Sequence, residues 1–260
     1  MDYGICALSH VPVRKEPSDK SELITELLFG ECYTILNQEG NWFLVQNAAD
    51  GYEGWIDFKQ HFPVSEAYFS EWQVQQHPRT LNLVDFIYNN QNRIPLLLGS
   101  TLPFFVGNSV RLGEEEYSFA GQVSDLNIAP EAHFLQNIAR LFLKAPYVWG
   151  GRTVFGLDCS GFVQQVYSLC HYQLPRDAWQ QAAHGQEVHF ASQTKPGDLA
   201  FFDNAEGRIV HVGLMLDGNQ IIHAHGEVRI DTLDHQGIFN ADRKRYTHQL
   251  RIIKRIFPNL

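Results

Sequence analysis

Cys159, His211 and His223 are the residues whose types and settings could support nucleophilic catalysis. Cys159 lies in Leu157-Asp158-Cys159-Ser160-Gly161-Phe162, directly after the glycine-rich residues 149–156, which a helix does not easily include. Cys159, Phe162, Val163, Val166, Tyr167 and Cys170 recur at i, i+3, i+4, i+7, i+8 and i+11, one stripe of an α-helix. The spacing predicts a helix beginning at Cys159, with Asp158 as its N-cap. Unpaired N–H groups and the positive dipole end at such a terminus favour a thiolate, the attacking species. The ordinary alternative is a buried core cysteine. Cys170, on the same stripe without a helix start, reads as core, and Cys6 and Cys32 read as structural. No pair has CxxC spacing, and four cysteines without a disulfide framework suit a reducing compartment.

The histidines fall in two apolar runs, 208–216 and 220–225, on either side of Asp217-Gly218-Asn219, and this pattern predicts a β-hairpin. With a three-residue loop, Leu216 pairs with Gln220 and paired numbers sum to 436. His211 is then opposite His225 and Gly213 opposite His223, all on one face, with His211 and His223 roughly 7 to 8 Å apart at Cα. A two-residue loop would move His223 to the other face. A metal centre built from Cys159, His211 and His223 has no supporting H-x-x-x-H or paired-cysteine spacing.

Several further motifs follow in order: Tyr147-Val148-Trp149-Gly150-Gly151, the cysteine segment, Leu174-Pro175-Arg176-Asp177, Lys195-Pro196-Gly197-Asp198-Leu199-Ala200-Phe201-Phe202, His211-Val212-Gly213 and Ile222-His223-Ala224. Over residues 132–257 they resemble the NlpC/P60 cysteine peptidases of bacterial cell-wall metabolism. The resemblance implies an α+β fold whose papain-like catalytic domain packs an antiparallel sheet on helices. It implies Cys159 as nucleophile, His211 as general base and then acid, and His223 orienting His211, with His225 the competitor for that role. A thiolate–imidazolium pair of this kind predicts inactivation by alkylating reagents. Tyr147 resembles the family tyrosine that faces the nucleophile and helps the Cys159 backbone N–H hold an oxyanion. No cofactor or metal is implied.

The N-terminal residues differ in character. Short β-rich runs at 11–17, 30–36, 41–46 and 51–56 are separated by turns, a pattern that suits a small barrel. Asn41-Trp42-Phe43-Leu44-Val45 and Gly54-Trp55-Ile56 resemble a bacterial SH3 domain. We expect three domains: an SH3-like domain at 1–62, a second, divergent one at 65–130 with strands near 101–106 and 117–123, and a catalytic domain at 131–260. An insertion decorating the first barrel is the alternative for the middle region. A helix over 131–145, with Phe134, Ile138, Leu141 and Phe142 on one face and ended by Pro146, opens the catalytic domain.

Net charge is −9, from 20 basic and 29 acidic residues, which argues against a nucleic-acid partner. The basic residues 243–245 and 251–255 read as a solvated strand or sheet edge. No run is apolar and long enough to span a bilayer, and residues 1–10 lack a basic n-region and a proper h-region. The expected location is therefore cytoplasmic, without a membrane partner, and the expected state a monomer. An unexported member with N-terminal SH3-like domains resembles the γ-D-glutamyl-L-diamino acid endopeptidases of muropeptide recycling. That resemblance implies, as substrate, murein tri- or tetrapeptides of the type L-Ala-γ-D-Glu-diamino acid with a free amino terminus. Asp158 would bind the ammonium of L-Ala, with Ser160 beside it, unless they act only as helix cap and first-turn residue. Glu53 and Tyr88 would supply a carboxylate and a hydroxyl from an SH3-like domain that restricts the cleft; both are otherwise ordinary surface. Arg176 completes the expected substrate-binding set, although Ala178 replaces the serine that commonly follows Arg-Asp in the family. An amidase or transacylase on the same fold, and a non-catalytic wall-peptide binder, are the other classes left open.

Overall fold

The structure is a computed structural model describing residues 2–127 and 131–257; the ends of the predicted second and third domains, at 128–130 and 258–260, lie outside the described residues. Two compact units form. The first holds residues up to 127 together with 149–154, and the second holds 131–148 and 155–257.

In the first unit, β1 (Asp2–Ile5), β2 (His10–Arg14), β3 (Leu23–Leu28), β4 (Cys32–Glu39), β5 (Trp42–Asn47), β6 (Glu53–Asp57) and β7 (Phe62–Val64) make one sheet in the order β3-β2-β6-β5-β4-β1-β7. Its alternation is plain in β2, where Val11 and Val13 point into a core with Leu27, Tyr33, Val45 and Ile56. Helix α1 (Glu66–Val74) is capped by Ser65 and buries Tyr68, Phe69 and Trp72, spaced i, i+1 and i+4, in a second core. That core also receives Ile87, Leu96, Val110 and Tyr117 from β8 (Val84–Tyr88), β9 (Arg93–Leu97), β10 (Ser109–Leu112) and β11 (Glu115–Ser118), which pair in the order β10-β11-β8-β9. The predicted strand at 101–106 is instead a turn with isolated bridges at its two ends. Pro103 has no N–H to give a ladder, and Phe104 adopts φ +52°. The predicted strand at 117–123 begins earlier and ends at Ser118. The segment 149–154, including β12 (Arg152–Thr153), is tied in by Arg152, which bonds both oxygens of buried Glu31 at 2.9 and 3.0 Å and the Glu26 carbonyl at 2.6 Å.

The second unit opens with α2 (Ala132–Leu141). Its buried face is Leu135, Ile138, Ala139 and Phe142, whereas Leu141 is exposed, so the predicted stripe is rotated. The helix also stops short of Pro146: Lys144 has already turned to φ +71°. After β13 (Gly156–Leu157) comes α3 (Cys159–Ser168), every residue of which is buried, followed by the short α4 (Ala178–Gln181). A sheet then runs β14 (Gln186–Glu187), β20 (Arg245–Arg255), β15 (Leu199–Asp203), β16 (Ile209–Met215), β17 (Gln220–His225), β18 (Glu227–Leu233) and β19 (Gly237–Asn240). Strand β19 also pairs with β20, so six of these strands close into a ring. Of the basic C-terminal residues, Arg243 and Lys244 lie in the turn before β20, whereas Arg245 and those at 251–255 are on β20, an inner strand and not an edge: it pairs on one side with β15, and Arg255 forms an ion pair with Asp198 at 2.8 Å.

Candidate active site

Helix α3 begins where the apolar stripe begins because Asp158 caps it, its Oδ1 accepting from the Gly161 N–H at 2.7 Å. Cys159 is therefore the first helical residue, where the leading N–H groups have no intrahelical acceptor. Its thiol lies against β16, donating to the Val210 carbonyl at 4.0 Å. Burial pushes this thiol up, to about 12, and the Asp158 carboxylate adds to the effect; N–H groups of Val212 and Ser160 and the Arg176 guanidinium act in the opposite sense. The expectation of a pre-formed thiolate is corrected accordingly. A helix terminus contributes about 0.3–1 kcal/mol, whereas burial shifts a titration by up to about 3–5 pH units, so desolvation wins and the resting group is the thiol.

Hairpin β16–β17 holds the histidines. Its pairs Leu214–Ile222 and Met215–Ile221, with the Leu216 N–H bonded to the Gln220 carbonyl at 2.8 Å, follow the register of a three-residue loop. Gly218 and Asn219 sit at φ +68° and +60° to make the turn. Gly213 carries no side chain for a visible reason: a Cβ there would stand 2.7 Å from Ile221 Cδ1 and 2.9 Å from His223 Cβ. His223 is brought next to His211, and Nε2 of His211 meets Nδ1 of His223 at 2.8 Å. His225 is ring-stacked with His223 at 6.1 Å between centroids and lies 6.4 Å from His211. Burial drives the pKa of His211 well below 6.5, reinforced by His223, His248 and His225; burial likewise lowers His223 despite the opposing pull of Asp231. Both imidazoles are neutral at rest.

Three further participants lie outside the sequence motifs. Asp231 accepts from His223 Nε2 at 3.1 Å, Arg229 grips Asp231 at 2.7 and 2.9 Å, and the His248 ring stacks on His211 with centroids 4.1 Å apart. Gly226 was the available signal for the first two. The β17–β18 register places Arg229 opposite His223, so Asp231 is its diagonal neighbour. His248 had none, since β20 meets the sheet through a pairing that brings Leu250 opposite Phe202, itself opposite His211.

Below the thiol, Arg176 donates to both oxygens of Asp158 at 3.0 and 2.6 Å and to Ser160 Oγ at 2.9 Å, all buried. Asp158 thus serves as helix cap and as the Arg176 counter-charge. Tyr147 is half-buried, its backbone bonded to the Gly226 carbonyl; burial raises its phenol, with Cys159 and Asp158 adding to the shift. Glu53 and Tyr88 belong to the first unit. Exposed Glu53 accepts from Gln46 at 3.0 Å, and exposed Tyr88 has the Arg93 guanidinium 5.6 Å from its ring centre. Among the described residues, His211, His223 and His248 could gather around a metal ion, with ligating atoms within 4.8 Å. A metal must lie in the plane of each imidazole that binds it, and the near-parallel stack of His211 on His248, 18° between planes, opposes a shared ion.

A buried thiol at a helix start, lying against the strand that carries one member of a neutral imidazole pair, suits acyl transfer through a thioester. Residues 144–248 match the NlpC/P60 family, and residues 13–60 match the bacterial dipeptidyl-peptidase SH3 domain. A Bacillus subtilis protein named gamma-D-glutamyl-L-lysine dipeptidyl-peptidase is 30% identical over 220 residues, spanning 77% of this chain and 71% of that protein. The chain belongs to the NlpC/P60 family. A Bacillus cereus protein of the same name is 27% identical over 88% of this chain and 77% of its own length. The crystal structure of an NlpC/P60 family protein from Bacillus cereus superimposes with a TM-score of 0.82, covering 98% of this chain and 100% of that one at 22% identity. As a member of the NlpC/P60 family, with an SH3-like β-rich region ahead of a papain-like α+β domain, the protein is a cysteine peptidase.

Proposed function

We propose that this peptidase hydrolyses the γ-D-glutamyl-L-diamino acid bond of short murein peptides that carry a free N-terminal L-Ala. The observation that carries the reading is the buried thiol of Cys159 against β16, the strand that carries His211 of the hydrogen-bonded His211–His223 pair, in a chain aligned over most of its length with two gamma-D-glutamyl-L-lysine dipeptidyl-peptidases.

In this reading His211 takes the Cys159 proton as sulfur attacks the carbonyl carbon. The S–C bond forms, and the carbonyl π pair moves to oxygen, facing the N–H of Cys159 and the Tyr147 hydroxyl. Collapse breaks the C–N bond, and the proton on His211 passes to the departing amine. Water, deprotonated by His211, then attacks the thioester and releases Cys159. Arg176 neutralises Asp158 beneath the nucleophile, which limits the repulsion a thiolate would meet there. We assign Asp158 and Ser160 to the end of the cleft that receives the L-Ala ammonium.

Mass spectrometry of digests of L-Ala-γ-D-Glu-L-Lys, its diaminopimelate counterpart and their N-acetylated forms tests the assignment. Release of L-Ala-D-Glu from the free-amine peptides alone is expected; equal cleavage of the acetylated forms would refute the recycling role. Cys159→Ala should abolish turnover and retain peptide binding by calorimetry. We further place the enzyme in the cytoplasm as a monomer. Its four cysteines are all unpaired, and a thiol nucleophile persists in a reducing compartment. Cell fractionation and light scattering test these two points.

A further inference from the structure

The proton positions in the histidine cluster can be deduced from its acidic end. Asp231 is buried, which alone would raise its carboxyl, but bonds from His223 and Arg229 outweigh that and hold it at about 2. As a carboxylate it only accepts, so the proton of the 3.1 Å bond resides on Nε2 of His223. Neutral His223 then has a bare Nδ1, which must accept the 2.8 Å bond from His211. That places the His211 proton on Nε2 and leaves Nδ1 as its lone-pair nitrogen. We propose that Asp231 is a positioning residue that fixes His223 and His211 each as the Nε2–H tautomer, making Nδ1 of His211 the atom that receives the Cys159 proton.

Arg229 has a definite part in this arrangement. It donates to Asp231 at 2.7 and 2.9 Å and to Asp242 at 2.8 Å, and its guanidinium stays protonated. An uncompensated carboxylate would draw a proton onto His223 Nδ1, and an imidazolium there could no longer accept from His211. The groups facing His223 are Asp231 and Arg229 from β18, His211 from β16, His225 on its own strand and His248 from β20. Asn240 of β19 adds a 3.5 Å contact to Asp231. With burial disfavouring added charge on His223, the Asp231–Arg229 balance is what decides whether it remains an acceptor.

The inference rests on His211 acting as the base, and its first test needs no substrate, so it can fail independently of the substrate assignment. Nitrogen-15 NMR of the full-length, histidine-labelled protein at pH 7 should show both His211 and His223 as Nε2–H tautomers. An Nδ1–H or imidazolium His223 would overturn the inference. Asp231→Asn, which offers an amide N–H as readily as an oxygen, should mix the His223 tautomers. It should also lower kcat by about 10- to 100-fold, the scale found for carboxylates one step removed from the reacting centre, behind metal-binding imidazoles, with KM little changed. Wild-type kcat and tautomers in that variant would refute it. Should Asp231→Asn not fold, Arg229→Gln serves: His223 would then protonate at higher pH, moving the acidic limb of kcat up by about one pH unit. An unmoved limb would count equally against the proposal.

Discussion

A thiol held up at about 12 and a His211 imidazole held well below 6.5 make the resting Cys159 and His211 both neutral. The sulfur becomes a nucleophile only as substrate arrives and the proton moves, so alkylation and turnover should respond differently to pH. In the substrate-free enzyme, inactivation by iodoacetamide should accelerate about tenfold per pH unit between pH 7 and 10, since only the thiolate reacts. A rate independent of pH from 5 to 8 would instead reveal a standing thiolate–imidazolium pair. The turnover profile follows from the neutral pair: His211 must stay a base and His223 an acceptor, so kcat/KM should hold through pH 6.5 and decline only as pH falls through their depressed values. Arg176 is the second residue whose removal should tell. Arg176→Ala leaves Asp158 charged and buried under the helix start, a loss of about 3–5 kcal/mol that urea denaturation would measure; a change under about 1 kcal/mol would show that water enters and replaces the guanidinium.

Elements decide which side chains face one another. Hairpin β16–β17 depends on a loop of three residues, because side chains alternate along a strand and a one-residue slip reverses every face. Deleting Asn219 should therefore turn His223 away from His211 and eliminate turnover while far-UV circular dichroism keeps its sheet signal; retained activity would mean the ladder re-registers elsewhere. Much of this level was legible in the sequence. The helix start at Cys159, the Asp158 cap and the hairpin register rest on contacts between residues close in the chain, where spacing alone carries the geometry. Where longer-range packing competes, spacing misled: α2 turned its buried stripe from Leu141 to Leu135 and Ala139, and 101–106 gave up its ladder around Pro103.

At the scale of the whole molecule, histidines kept neutral by burial recur in both units. His61 and His77 in the first unit, and His211, His223, His225 and His248 in the second, all titrate below 6.5, with burial the leading cause in each. The unfolded chain binds protons on these groups near 6.5 and the folded chain does not, so stability is fully present above that pH and is lost as pH falls toward the depressed values. Thermal melts should therefore show Tm dropping steadily from pH 7 to pH 5, and a Tm flat across that range would mean the imidazoles are hydrated. The sequence by itself determined the nucleophile's helix, the hairpin that pairs His211 with His223, and the family motifs, since each is written within a short stretch of chain. Only the tertiary structure decided that the thiol rests protonated, that Arg176 faces Asp158, that Asp231 stands behind His223, and that His248 from the last strand stacks on His211. Desolvation and strand closure are properties of the packed whole, and no local spacing encodes them.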